Sequence, residues 1–248
     1  MPADAVSSGP FRPAVRLAGT PVVCFWTGAS HGDQRAVVEG ARPAPREIPA
    51  GLRIAGVRQV HGSEVANVGA GGRGPHLGAA VSGAIRVGDG LPQGDAALAT
   101  DQETCVAVLV ADCLPIAIGS PEGVRVAVHA GWRGLVAGIV ETAAAAARAA
   151  GASALVAGLG PCIGPCCYEF SPDDLERVTG VLGDRVAAKT MSGKDSLDIR
   201  TAAREALDAS GVRVDAEDES CTSCGTGWYS ARARADTSRQ ALYMWRVH

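Results

Sequence analysis

No run of this chain is long and apolar enough to cross a bilayer; the longest, from Val106 to Gly119, is interrupted by Asp112 and Pro115. A surplus of positive charge is missing too. The formal net charge is -3, the pI is near 6.0, and only Arg232 and Arg234 sit close together, so neither a nucleic acid nor an anionic membrane finds a basic face. The start, "MPADAVSSGPFRPAVR", lacks a basic stretch followed by an apolar one. Secretion by a standard signal is therefore not expected, and a cytoplasmic location is. There the eight cysteines stay reduced, which makes them useful for thiol chemistry or metal binding rather than for disulfides. Internal repeats and linker-like breaks are also absent. What is present is 47% hydrophobic and 20% charged residues, a composition able to bury a substantial core. One domain is expected over 16–248, after an Ala-, Pro- and Ser-rich flexible tail over 1–15.

Apolar patterning gives the order of elements. "AVRLAGTPVVCFWTG" reads as one or two strands, and "LRIAGVRQVHG" as a strand that delivers His61 to its end. Residues 69–94 are glycine-rich and without periodicity, which predicts a long loop around a short strand at Ala84–Val87. "CVAVLVA" and "VRVAVHA" are buried strands by composition. After His129, "GWRGLVAGIVETAAAAARAAG" places Leu135, Ile139, Ala143 and Ala146 at helical spacing, with Gly151 as the stop. "ALVAGLG" is a further strand. Ser171, Pro172 and Asp174 form a helix start, and "DIRTAAREALDASGV" is an amphipathic helix. The chain closes with a turn-rich "CTSCGTG" and two strand-like runs, "WYSAR" and "RQALYMWRV".

Three residues share one context. His61, Cys113 and His129 each sit where a strand meets a Gly- or Pro-bearing turn, the rim position where function is commonly grafted. Singly, each reads as a packed thiol or a hydrogen-bonded turn residue. Together, in a chain with five histidines, they point to a site. Two readings stay open on these residues. Cys113 can be a nucleophile with His129 as its base. Alternatively, two imidazoles and a thiolate suit Zn²⁺ and leave one tetrahedral position open for water, whose pKa then falls to roughly 7. Copper accepts the same donors.

The segments "VRQVHGSEV", "GDAALATD", "LVADCLPIAIGSP", "VAVHAGWRGLVAGIVE", "GLGPCIGPCCYEF" and "CTSCGTGWYSARARADTSRQ" occur in this order from about residue 52 to the C-terminus. In this they resemble the YfiH-like family, also called the laccase-domain or multicopper polyphenol oxidase family, whose members are now known as purine nucleoside phosphorylases. The N-terminal pattern departs from it: where the family typically reads Phe-Thr-Thr-Arg, this chain has Phe25-Trp26-Thr27-Gly28. Near the C-terminus, Arg232-Ala233-Arg234 replaces a pair of adjacent arginines.

The resemblance implies an α/β (α+β) domain with mixed sheets covered by helices, layered α/β/β/α like the cytotoxic necrotizing factor catalytic domain. It implies metal ligands at His61, Cys113 and His129. It also implies phosphorolysis of adenosine, inosine, guanosine and methylthioadenosine, with deamination of adenosine. The partners are then a small nucleoside and phosphate, with no nucleic acid or membrane; no oligomeric state follows. Two competitors remain: a Cys–His hydrolase or amidase that edits a peptidoglycan precursor, and a copper polyphenol oxidase.

Asp112, beside Cys113, is expected as a proton carrier if a turn brings it to the metal. Arg133, at the start of a helix, is expected to hold phosphate. Gln59, Trp132, Cys162 and Tyr168 are expected to touch substrate, Trp132 and Tyr168 by stacking on a purine. His76, in the glycine-rich loop, and His248, at the C-terminus, are poor ligands. A second, structural zinc drawn from Cys162, Cys166, Cys167, Cys221 and Cys224 would ordinarily show two close pairs, and only the CxxC of Cys221 and Cys224 has that form.

Overall fold

Runs of Val, Ile, Leu and Ala that are buried on both faces cannot end in solvent, and here they build two mixed sheets packed on each other. The computed structural model describes residues 14–69 and 91–247. Strands β1 (Val15–Arg16), β2 (Val22–Trp26), β3 (Arg53–Ala55), β4 (Val65–Asn67), β5 (Ala96–Ala99) and β6 (Thr104–Val110) come first. They are followed by β7 (Leu114–Gly119), β8 (Arg125–Ala130), β9 (Leu155–Leu159), β10 (Ala187–Lys189), β11 (Asp195–Leu197), β12 (Val212–Glu217) and β13 (Gln240–Arg246). The helices are α1 (Arg35–Val38), α2 (Trp132–Val136), α3 (Ile139–Ala149), α4 (Pro172–Leu182), α5 (Ile199–Ala209) and α6 (Ala231–Arg234).

One sheet has the order β1-β2-β13-β6-β3, the other β12-β9-β7-β8-β5-β4, and β10 pairs with β11 alone. Their facing sides share a core in which Leu17, Val22, Cys24, Val106 and Met244 meet Ala97, Ala117, Ala127 and Val156. The outer face of the six-stranded sheet packs on α3, α4 and α5 through Ile116, Val128, Ile139, Val178 and Leu207. The outer face of the five-stranded sheet is covered by Val37, Val38 and Ile48 over Phe25, Tyr243 and Trp245. The layering is α/β/β/α, as the resemblance implied. No helix among the described residues is long and apolar enough to cross a membrane.

Of the elements read from the sequence pattern four differ in the structure, and β4, β5, β7, β10, β11, β12 and α1 fall in segments to which no element was assigned. "LRIAGVRQVHG" is a strand only at β3; His61 lies beyond it, with φ 61°. The helix expected after His129 is two helices, because Gly138 adopts φ 79° between α2 and α3. "WYSAR" is not a strand: Ser230 accepts a hydrogen bond from Ala233 N at 3.0 Å and starts α6. The tail expected over 1–15 stops short, since Val15 already pairs with Cys24. The rest of that tail and the strand at Ala84–Val87 lie outside the described residues. The start at Ser171 is as expected, its hydroxyl accepting from Asp174 N at 3.2 Å.

Candidate metal centre

The antiparallel hairpin of β7 and β8 pairs Leu114 with Ala130 and Pro115 with His129. Cys113, one residue before β7, is thereby set against the end of β8, beside His129. Asp112 supports this corner with φ 90°, a backbone state costly for a non-glycine residue. Its carboxylate offsets that cost. Asp112 Oδ1 accepts from Thr222 Oγ1 at 2.6 Å, and Oδ2 accepts from Ser230 Oγ at 3.0 Å and Arg232 N at 2.7 Å.

His61 arrives from a separate segment, held by one buried carboxylate. Asp95, at the entrance to β5 and fully buried, accepts from Val60 N at 3.2 Å, His61 N at 2.9 Å and Gly62 N at 2.6 Å. The same group sits 2.8 Å from His129 Nδ1. Burial resists ionisation of Asp95, but the bonds from His129 and Gly62 outweigh it and hold its pKa below the ordinary value. An ionised carboxylate only accepts, so His129 Nδ1 is the donor and Nε2 is left for the cluster.

The ligand atoms of His61, Cys113 and His129 all lie within 4.8 Å of one another. Cys113 Sγ is 3.9 Å from His61 Nε2, and the two imidazoles meet edge to face with centroids 4.8 Å apart. His129 is buried, Cys113 half-buried and His61 exposed, so the cluster opens on one side. Burial pushes the Cys113 thiol up, but the charge and hydrogen bond of His129, helped by His61, bring it down to about 6. Burial pushes His129 down, while the Cys113 sulfur and Asp95 raise it to about 9. The cluster thus favours a sulfur anion with positive charge beside it. Two nitrogens, one thiolate and a carboxylate behind a ligand imidazole fit a first-row divalent ion.

Gly131 closes the cluster from the helix side. A Cβ there would lie 3.1 Å from His61 Cδ2 and 3.2 Å from Cys113 Sγ. Its φ of -80° suits any residue, so the restriction is purely steric. Gly131→Ala is expected to displace the donors by a few tenths of an ångström and weaken metal binding about tenfold or more. Stability should change little; chelator competition and a thermal melt check the two together.

Beyond Gly131 lies an aromatic run. Arg133 covers the Trp132 ring at 4.3 Å, Trp132 meets Phe170 at 5.7 Å, and Phe170 meets Tyr168 at 4.8 Å. Arg232 lies 5.4 Å over Tyr168. Burial keeps the Tyr168 hydroxyl well above the ordinary range, with Cys113 adding to the shift and Arg232 and Arg133 opposing it. Both arginines are exposed and within electrostatic reach of that ring.

Of the residues expected at the site, the structure brings together His61, Cys113 and His129, with Trp132, Arg133 and Tyr168 alongside. Asp112 is adjacent, but its two oxygens are turned to Thr222, Ser230 and Arg232. The Gln59 amide exchanges bonds of 2.7 and 2.8 Å with the backbone of Leu109. Cys162 is wholly buried in the helix-side core, its thiol pushed up to about 12 by burial. Sequence reasoning passed over Asp95, Phe170 and Arg232. For Asp95 a signal existed, a lone carboxylate directly before the apolar strand "AALA" within "GDAALATD".

Comparison with known proteins adds to this geometry. The family model described as multi-copper polyphenol oxidoreductase laccase matches residues 19–247. The purine nucleoside phosphorylase SCO2081 of Streptomyces coelicolor is 32% identical over 216 residues, covering 83% of each chain. The purine nucleoside phosphorylase YfiH of Escherichia coli is 34% identical over 156 residues, covering 62% of this chain and 64% of its own. Among solved structures, Neisseria meningitidis protein NMB0706 superposes with a TM-score of 0.74 at 25% identity, over 97% of this chain and 100% of that one.

Proposed function

This chain belongs to the multi-copper polyphenol oxidoreductase laccase family, and from that premise we propose that it is a purine nucleoside phosphorylase. Its substrates on this reading are adenosine, inosine, guanosine and methylthioadenosine with phosphate, and it also deaminates adenosine. The observation that carries the reading is the neighbourhood of a three-donor metal cluster, an aromatic run and two exposed arginines. The curated relatives named above, both called purine nucleoside phosphorylases, support it.

His61, Cys113 and His129 would hold the ion, and we assign it as zinc from the nitrogen-and-sulfur donor set. When bound, zinc supplies a Lewis acid that polarises a substrate atom. Asp95 keeps the His129 ring in the orientation and tautomer that coordination needs. Trp132, half-buried, offers a surface for the purine, backed by Phe170 and the nearly buried Tyr168. Arg133 and Arg232 bind phosphate as a dianion. In the reaction an oxygen of hydrogen phosphate bonds to the ribose C1′ as the bond from C1′ to the base nitrogen breaks, and the proton of the hydrogen phosphate ends on the base, releasing neutral base and ribose 1-phosphate. Asp112 acts as a positioning residue, since its oxygens hold the backbone of Arg232 and the hydroxyls of Thr222 and Ser230.

Loss of one guanidinium from a charge-assisted anion site removes about 1.5–3 kcal/mol. Arg133→Ala and Arg232→Ala are each expected to raise KM for phosphate about tenfold or more, with KM for the nucleoside changed far less. Steady-state kinetics with phosphate varied check this; an unchanged phosphate dependence in both variants removes the assignment.

A second reading rests on the order Cys113, His129, Asp95, in which a carboxylate orients an imidazole beside a thiol. That arrangement would serve a hydrolase or amidase, with a peptidoglycan precursor as the substrate. It needs a sulfur free of metal, so it predicts alkylation of Cys113 in the native protein and turnover after complete chelation. Copper in the same donors, with dioxygen consumed alongside a phenol and no phosphate-dependent base release, would replace both readings with phenol oxidation.

A further inference from the structure

The cysteines that sequence spacing leaves unpaired come together in space. Cys166 and Cys167 lie in the turn after β9, and Cys221 and Cys224 in the turn after β12. Their four Sγ atoms all lie within 4.8 Å of one another. Cys166 Sγ and Cys224 Sγ are 3.7 Å apart. A tetrahedral ion with four thiolates at about 2.3 Å has sulfur–sulfur edges of about 3.8 Å, whereas a disulfide needs about 2 Å. All four cysteines are free thiols.

The backbone around them has the form of a metal-binding knuckle. Gly164 N donates to Cys221 Sγ at 3.2 Å, and the Ser223 and Cys224 amides point at the same sulfur. Such N–H groups stabilise a thiolate that already carries a metal. Gly225 N donates to Cys221 O at 2.8 Å, closing the CxxC turn, and any Cβ on Gly225 would collide with that carbonyl oxygen. A Cβ on Gly164 would press on Cys166 Sγ at 3.2 Å. Glycine therefore stands at Gly164, where the chain passes close to sulfur, and at Gly225, where the CxxC turn closes on its own backbone. The two turns are also joined through backbone, with Cys162 bridged to Cys221 and Thr222 N donating to Cys162 O at 3.0 Å.

We propose that Cys166, Cys167, Cys221 and Cys224 form a second, structural zinc site, separate from the cluster of His61, Cys113 and His129. Four thiolates complete a tetrahedral shell and leave no position for substrate, which marks a structural site. Soft, all-sulfur coordination selects zinc over magnesium, calcium or manganese. The ion joins two long loops, the one after β9 and the one after β12. One carries Tyr168, directly after Cys167. The other carries Thr222, which bonds Asp112, and continues through Arg234, which donates to Thr222 O at 3.1 Å, after the exposed Arg232. Zinc here therefore fixes the two walls that bring Tyr168 and Arg232 together.

The test uses the full-length Cys113→Ala protein, in which the histidine-containing cluster is disabled, so that its outcome does not depend on the nucleoside reading. Elemental analysis after gel filtration is expected to give one zinc per chain. X-ray absorption at the zinc edge should show four sulfur neighbours at about 2.3 Å. Adding Cys166→Ser and Cys224→Ser should remove that zinc. Cobalt substituted into Cys113→Ala should show the intense thiolate-to-cobalt charge transfer of a tetrathiolate, which requires no folded serine variant. Zinc-free Cys113→Ala overturns the proposal, whether its four cysteines titrate as free thiols or are recovered as disulfides, and so does zinc with nitrogen or oxygen neighbours.

Discussion

Replacing Cys113 by alanine is expected to lower bound zinc by one ion per chain and to cut phosphorolysis by at least about a thousandfold. The size follows from chemistry rather than packing. Cys113 is half-buried, so the lost side chain leaves no sealed cavity, and stability should fall only modestly. What goes is the single anionic donor among the three proposed ligands, leaving two imidazoles that lie 4.8 Å apart edge to face. Two neutral donors hold zinc far more weakly than two with a thiolate. Cys113→Ser should be nearly as damaging, because an alcohol does not ionise at neutral pH as a thiol held down to about 6 does. Metal content, turnover and a thermal melt on the same preparation separate these effects. Full activity in metal-depleted Cys113→Ala would be incompatible with the site as assigned.

Asp95→Ala carries the second large effect, and it strikes stability and metal together. The carboxylate receives the amides of Val60, His61 and Gly62 and the Nδ1–H of His129 in a fully buried position. Removing it takes the acceptor from four donors, of which the His129 ring is buried, so a loss of about 3 kcal/mol or more is expected. The His61 turn, whose φ of 61° is maintained by those amides, should relax, and zinc affinity should fall about 10–100-fold beyond the unfolding effect. Asp95→Asn distinguishes the roles. Its amide can still accept from His129 and His61 through Oδ1, but it turns a donor towards Gly62 N, which now sits 2.6 Å from Oδ2. Denaturant unfolding with and without chelator measures both quantities. An Asp95→Ala protein as stable as wild type and equally zinc-loaded would show that the carboxylate is not the anchor.

Cys113 and His129 were legible as residues at strand rims, although the hairpin that joins them is β7 with β8, and β7 was not read as a strand. "CVAVLVA" and "VRVAVHA" announce buried strands, and β7, which starts one residue after Cys113, pairs with β8 to place the thiol beside His129. His61 was harder to place. It ends no strand; three backbone amides on a distant carboxylate hold it, and periodicity contains no trace of such bonds. The sulfur cluster was legible only as five candidate cysteines, for a similar reason. Its two halves are fifty-odd residues apart, and the first pair, Cys166 and Cys167, is adjacent in sequence rather than spaced as a CxxC, so only the return of β12 alongside β9 brings them together. "WYSAR" begins with aromatics that favour strands, yet a single capping hydroxyl at Ser230 turns it into α6 and sets Arg232 over Tyr168. Gly138 broke a helix whose apolar spacing continues across it, since period alone does not register a residue with positive φ.

The central claim is that the three donors, the aromatic run and the two arginines together perform phosphorolysis. Incubation of zinc-loaded wild-type protein with adenosine, with and without phosphate, tests it most directly, with chromatography of the products. The account predicts adenine and ribose 1-phosphate only when phosphate is present, with inosine and ammonia as the separate products of deamination. Adenosine returned intact under both conditions, by protein that carries its zinc, would contradict it.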